Sequence, residues 1–159
     1  MDFHHFLYEE VPVLMRELHQ DTPALWGKMN AQQMVEHLGF IVSHSNGRLR
    51  VVNTAEPEKL AYRKMRYFEK DFPMPRHFRV DAVPEEPMPL QFPDIEQAKL
   101  FFFQQMQRFD DYFAEHPGIT TPHFTMGEMN YEEWVQLHAR HFRHHFKQFG
   151  LLEESYGLE

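Results

Sequence analysis

The sequence contains no cysteine. That absence excludes disulfides, thiolate-ligated zinc, iron–sulfur clusters and a cysteine nucleophile together. No run approaches ~18 uninterrupted apolar residues, so no membrane-spanning helix is expected. The first stretch, MDFHHFLYEEVPVLMREL, has no basic start, no clean apolar run and no small-residue cleavage site, so it does not read as a signal peptide, and a cytoplasmic location is expected. Positive charge is also short: Lys+Arg number 16 against 24 Asp+Glu, a formal net charge of -8. An acidic chain without a basic cluster predicts neither nucleic-acid binding nor attachment to an anionic membrane surface.

The abundant types are histidine, 12 residues, and phenylalanine, 16, in a chain of 159. That length predicts one domain over 1–159, large enough to bury ~70% of its unfolded surface. Hydrophobic residues at 42% and charged residues at 25% lie in the globular range.

Helix signals dominate. Asn30 precedes Gln33 by three residues and Asn130 precedes Glu133 by three, the spacing at which a cap side chain and the N3 side chain satisfy each other's amides. The spacing predicts helices over 31–45, ended at Asn46-Gly47, and over 131–149, ended at Gly150. Asp94 and Gln97 open a third over 95–115, whose stripe of Ile95, Ala98, Phe102, Met106, Phe109 and Phe113 advances by threes and fours until His116-Pro117-Gly118. Further helices are expected over 3–18, with Pro12 kinking it or marking its first turn, and over 57–72. Residues 72–93 hold Pro73, Pro75, Pro84, Pro87, Pro89 and Pro93, which forbid a continuous helix or a central strand and predict an extended crossover. Its Phe72, Phe78, Val80, Leu90 and Phe92 need a surface to pack on. Residues 49–52 are the best short β candidate, and the C-terminal LLEESYGLE is expected to fray. The resulting class is all-α, a bundle of four helices with a long proline-rich crossover.

Histidine is the residue type from which a cysteine-free chain builds a transition-metal site. In the last helix, Trp134, His138, His141, His145 and Gln148 advance by 4, 3, 4 and 3 beside an apolar stripe of Val135, Phe142, Phe146 and Phe149. His141 and His145 stand at i, i+4 on one face, which supplies half of a metal site. A third ligand must come from another helix. His37 shares an inward stripe with Met34 and Ile41 and sits mid-helix. His44, two turns further on the same face, is an alternate ligand or a pocket residue. His144 is rotated ~100° from His145 toward the rim or solvent. His138 and Gln148 have pocket or second-sphere positions, Trp134 could wall a pocket, and Gln148 could also bind substrate or a bound water. Glu36, next to His37 in sequence, points ~100° away from it and is a poor general base. His4 and His5 are expected to be exposed, His19, His77, His116 and His123 to lie in loops or at element ends, and Trp26 and Trp134 to anchor the core.

The segments Trp26-Gly27-Lys28-Met29-Asn30-x-x-Gln33-Met34-x-x-His37-Leu38 and Glu133-Trp134-x(6)-His141-x-x-His144-His145-x-x-Gln148-Phe149-Gly150 resemble the DinB-like superfamily. The resemblance covers 25–38 and 124–151; residues 53–93 match only in being proline-rich. It implies a DinB-type bundle of up-down-down-up order, often dimeric. It also implies a divalent-metal site built from one histidine of the second helix and an H-x-x-x-H pair of the last, which here are His37, His141 and His145. Some members of that superfamily are transferases or isomerases that use small thiols such as bacillithiol or mycothiol, and others are suspected hydrolases. The implied activity is therefore a metal-dependent hydrolase or a thiol-dependent transferase, carrying zinc or nickel and acting on a small molecule. Two other readings compete with it: a non-catalytic metal- or small-ligand-binding module, and a metal-free interaction protein.

Overall fold

The computed structural model describes residues 1–69, 74–76 and 85–157. In chain order the elements are α1 (Phe3–His5), a π-helical turn (Phe6–Glu10), α2 (Val11–Glu17), α3 (Ala31–Ser45), α4 (Pro57–Glu69), α5 (Ile95–Glu115), the antiparallel pair β1 (Thr121–His123) and β2 (Gly127–Met129), and α6 (Tyr131–Gln148). The protein is mostly helical, as the capping and periodicity predict.

Both expected capping boxes form. The Asn30 side chain accepts from Gln33 N and the Gln33 side chain from Asn30 N; Asn130 and Glu133 repeat the pattern at α6. Asp94 caps α5 by accepting from Gln97 N. α3 and α5 occupy the residues that the sequence assigns them, and α6 ends one residue early, with Phe149 as its cap. The first helix runs without a break over 3–17, close to the expected 3–18, and Pro12 distorts it, because proline has no N–H to continue the i→i−4 ladder. The backbone shifts to i→i−5 just before it, where Val11 N donates to Phe6 O.

α3 packs along α5 and also meets α6. Gly39 sets the closest approach: a Cβ there would lie 2.7 Å from Phe101 Cε1 and 3.3 Å from Phe102 Cα. The core joins α2, α3, α5 and α6 through Met15, Met34, Leu38, Phe102, Phe109, Phe142 and Phe146, all buried. Phe102 and Phe142 meet edge-on at 5.3 Å. Each such side chain stabilises the fold by about 1.5–3 kcal/mol.

The 121–129 hairpin replaces the strand expected at 49–52, where the backbone is irregular. Gly127, at φ +71°, turns the chain against Leu60 of α4. Thr121 Oγ1 donates to Ser45 O at 3.1 Å and ties the hairpin to the end of α3. α4 is described to Glu69, so the expected end at residue 72 lies outside the described residues, as do Phe72, Phe78, Val80 and His77. The described end of the proline-rich stretch runs along α3: Phe92 packs against the core, whereas Leu90 is exposed. Residues 151–157 are held rather than frayed. Leu151, Leu152 and Tyr156 pack on the core, Tyr156 bonds Glu10, and Lys147 Nζ donates to Glu154 O at 2.7 Å. Among the described residues no helix is long and apolar enough to cross a membrane.

Candidate metal centre

The middle of α3 and the last turns of α6 bring three imidazoles to one point. His141 Nε2 lies 3.0 Å from His37 Nε2 and 3.0 Å from His145 Nε2. One nitrogen from each ring falls within 4.8 Å of the others. The rings stand nearly perpendicular in pairs, with centroids 4.6–5.0 Å apart. His145 is buried, and His37 and His141 are half-buried as whole residues.

Hydrogen bonding does not account for this convergence. A ring nitrogen carries either one hydrogen or one in-plane lone pair, so it serves one well-aligned bond. His141 Nε2 has two imidazole nitrogens at bonding distance and can satisfy one. Three lone pairs directed at a shared cation satisfy all three rings. Two nitrogens on a tetrahedral zinc ion, each ~2.0–2.1 Å from it, stand about 3.3 Å apart. The observed spacing is close to that.

The protonation states fit the same picture. Burial pushes His37 down to about 4, with His144 adding repulsion. Burial pushes His141 and His145 well below the usual histidine range, and the neighbouring imidazoles add to it. All three rings are therefore neutral near pH 7, the form that donates a lone pair.

The tautomer of His145 follows from its surroundings. Gln148 Nε2 donates to Trp26 O at 2.9 Å, which can only accept. Gln148 Oε1 therefore faces His145 Nδ1, 2.8 Å away, and accepts from it. With its hydrogen on Nδ1, His145 carries its lone pair on Nε2, toward the other two rings. His141 Nδ1 is buried without a hydrogen-bond partner among the described residues.

The other sequence candidates lie elsewhere. His138 is fully buried, 2.8 Å through Nε2 from Ser45 Oγ and stacked between Trp134 and Phe142, so it is a core residue. Trp134 belongs to that stack and is buried in the core. His44 bonds Phe40 O through Nδ1 at 2.9 Å and packs between the rings of Phe40 and Phe124, apart from the cluster. Gln148 has both ends of its amide engaged within the protein, which leaves it a supporting rather than a substrate-facing place. Glu36 is turned away as helical geometry requires: it accepts from Gln32 Nε2 at 3.0 Å, Gln91 N at 2.8 Å and Phe92 N at 3.1 Å. His144 leaves the cluster and meets Met74 O at 3.2 Å and the edge of Trp26. Trp26 is not a core anchor but lies on a surface loop, with the Arg76 guanidinium 4.4 Å above its ring. The partnership of Trp26 O with Gln148 went unforeseen; the nearest sequence signal was Gly27 beside it.

The chain's likeness to known proteins covers these same residues. A model of the family described as "Protein of unknown function (DUF1569)" matches residues 5–151, a span that holds all three imidazoles. No curated protein matches, and no solved structure matches.

Proposed function

The chain belongs to the DUF1569 family, and we propose that it binds one divalent ion through His37, His141 and His145 and uses it in metal-dependent hydrolysis or thiol-dependent transfer. The observation that carries this reading is the convergence of three neutral imidazole nitrogens on one point. Three nitrogen donors and no thiolate or carboxylate suit zinc or nickel.

An ion held there supplies Lewis acidity and lowers the pKa of a water or thiol bound beside the imidazoles. The chain's own residues do the rest. α3 and α6 set the ring positions, burial keeps the rings unprotonated, and Gln148 fixes the His145 tautomer. Neutral donors leave the full charge of the ion uncompensated, which favours an anionic exogenous ligand such as hydroxide or thiolate.

The resemblance noted in the sequence extends this reading. It supports a DinB-type four-helix bundle of up-down-down-up order, a low-molecular-weight thiol as cosubstrate, a homodimer and a cytoplasmic setting. The order of α3 and α6, with one ligand on the first and an i, i+4 pair on the second, supports the same assignment.

A second reading, a binding module without turnover, is favoured by one observation. Glu36, the carboxylate adjacent to a ligand in sequence, is committed to backbone amides and does not face the imidazoles.

Metal analysis of protein purified without a histidine tag or nickel column tests the first reading. One ion per chain is expected, lost in the His141→Ala/His145→Ala double variant. No ion and no uptake on titration would overturn it. X-ray absorption on the loaded protein separates the two readings. An added thiol that brings in a sulfur neighbour at about 2.3 Å supports thiol chemistry, and a fourth protein ligand supports the module.

A further inference from the structure

We propose that Gln148 is a positioning residue that locks the His145 imidazole to the loop at Trp26 and Gly27, so that this loop sets metal affinity. The inference rests on the three-histidine reading and adds to it what holds one ligand in register.

Four observations place Gln148 in this role. Its Oε1 accepts from His145 Nδ1 at 2.8 Å. Its Nε2 donates to Trp26 O at 2.9 Å, a contact between residues 122 positions apart. Its backbone oxygen accepts from Leu25 N at 2.8 Å, so loop and helix end are joined twice. Gly27 leaves room for it: at φ +82°, a Cβ on Gly27 would lie 2.4 Å from Gln148 Nε2. That loop leads directly to Asn30, the cap of the helix that carries His37. One amide therefore ties the end of α6, which presents two ligands, to the start of the segment that presents the third. A carbonyl partner at the second ring nitrogen fixes the tautomer and plane of a ligating histidine and raises its basicity, and losing it costs about 10- to 100-fold in metal affinity.

Cobalt(II) is the probe, because its visible absorption reports the ligand geometry. Affinity and spectrum are compared for the wild type, Gln148→Met, Gln148→Glu, Gly27→Ala and the Gly27→Ala/Gln148→Met double variant. Gln148→Met is expected to weaken binding about 10- to 100-fold and to alter the spectrum. Gln148→Glu, which still accepts from His145 Nδ1 but cannot donate to Trp26 O, is expected to bind more weakly than the wild type and more tightly than Gln148→Met. Gly27→Ala is expected to weaken binding, and the double variant to be no worse than Gln148→Met, since both act through one bond. Wild-type affinity and spectrum in Gln148→Met would overturn the proposal. If Gln148→Met does not fold, Gln148→Glu decides: wild-type affinity and spectrum there overturn the proposal, and weaker binding supports it. No cobalt uptake by the wild type would instead overturn the three-histidine reading.

Discussion

Ser45 Oγ lies 2.8 Å from His138 Nε2, at the end of α3, with both residues wholly buried. The hydroxyl also donates to Val42 O at 2.7 Å. Its one hydrogen is thus committed, and His138 must donate from Nε2. Ser45→Ala would leave that N–H buried and unpartnered, at a cost of about 1–3 kcal/mol. Urea unfolding should show a lower midpoint with an unchanged slope. An unchanged midpoint would mean that the bond does not form.

The same histidine sets an acid limit on stability. Burial, with a smaller contribution from His123, pushes His138 down to about 3. Burial likewise pushes His123 down to about 4, with His44 adding to it. Above pH ~6.5 these rings are neutral both folded and unfolded. Below it the unfolded chain takes up protons that the folded chain refuses, so stability falls as pH drops from ~6.5 toward these folded values, by up to about 1.4 kcal/mol per pH unit for each such ring. Melting temperatures of metal-free protein should therefore decline between pH 6.5 and 4. A flat profile would place the rings in contact with water.

Metal should stabilise the fold by mass action. At an ion concentration 100 times Kd, the gain is about 2.7 kcal/mol, or roughly 5–10 °C in Tm for a chain of this size. His141→Ala removes the nitrogen that lies 3.0 Å from both of the others, and its Tm should not respond to zinc. An equal zinc-induced rise in wild type and variant would place the ion elsewhere.

Local signals in the sequence identify most of the helical elements. Asn30 with Gln33 and Asn130 with Glu133 form boxes within four residues, so no tertiary information is needed to find them. The i, i+4 relation of His141 and His145 is also local. Placing His37 against them needs a fold, and its inward stripe with Met34 carries that information. The rest is non-local. β1 and β2 have three residues each, too few for an alternating pattern, and the hairpin is held by Ser45 and Leu60 from other elements. The stripe marks Gln148 as a pocket or supporting residue without choosing between the two, because its partner is a backbone carbonyl, on which side-chain patterns are silent.

Glu36 distinguishes a structural carboxylate from a catalytic one. Its two oxygens receive the backbone amides of Gln91 and Phe92, and Gln32 and Gln33 donate to Phe92 O and Met88 O on the same strap. A carboxylate so engaged anchors residues 88–92 along α3 and has no path to a proton at the imidazoles. Glu36→Ala should therefore cost about 1–3 kcal/mol in unfolding free energy and speed protease cleavage within 88–92. Cobalt affinity should stay at the wild-type level, because none of these bonds touches His37, His141 or His145. A general base at Glu36 would instead give a stable strap and lost turnover in Glu36→Gln.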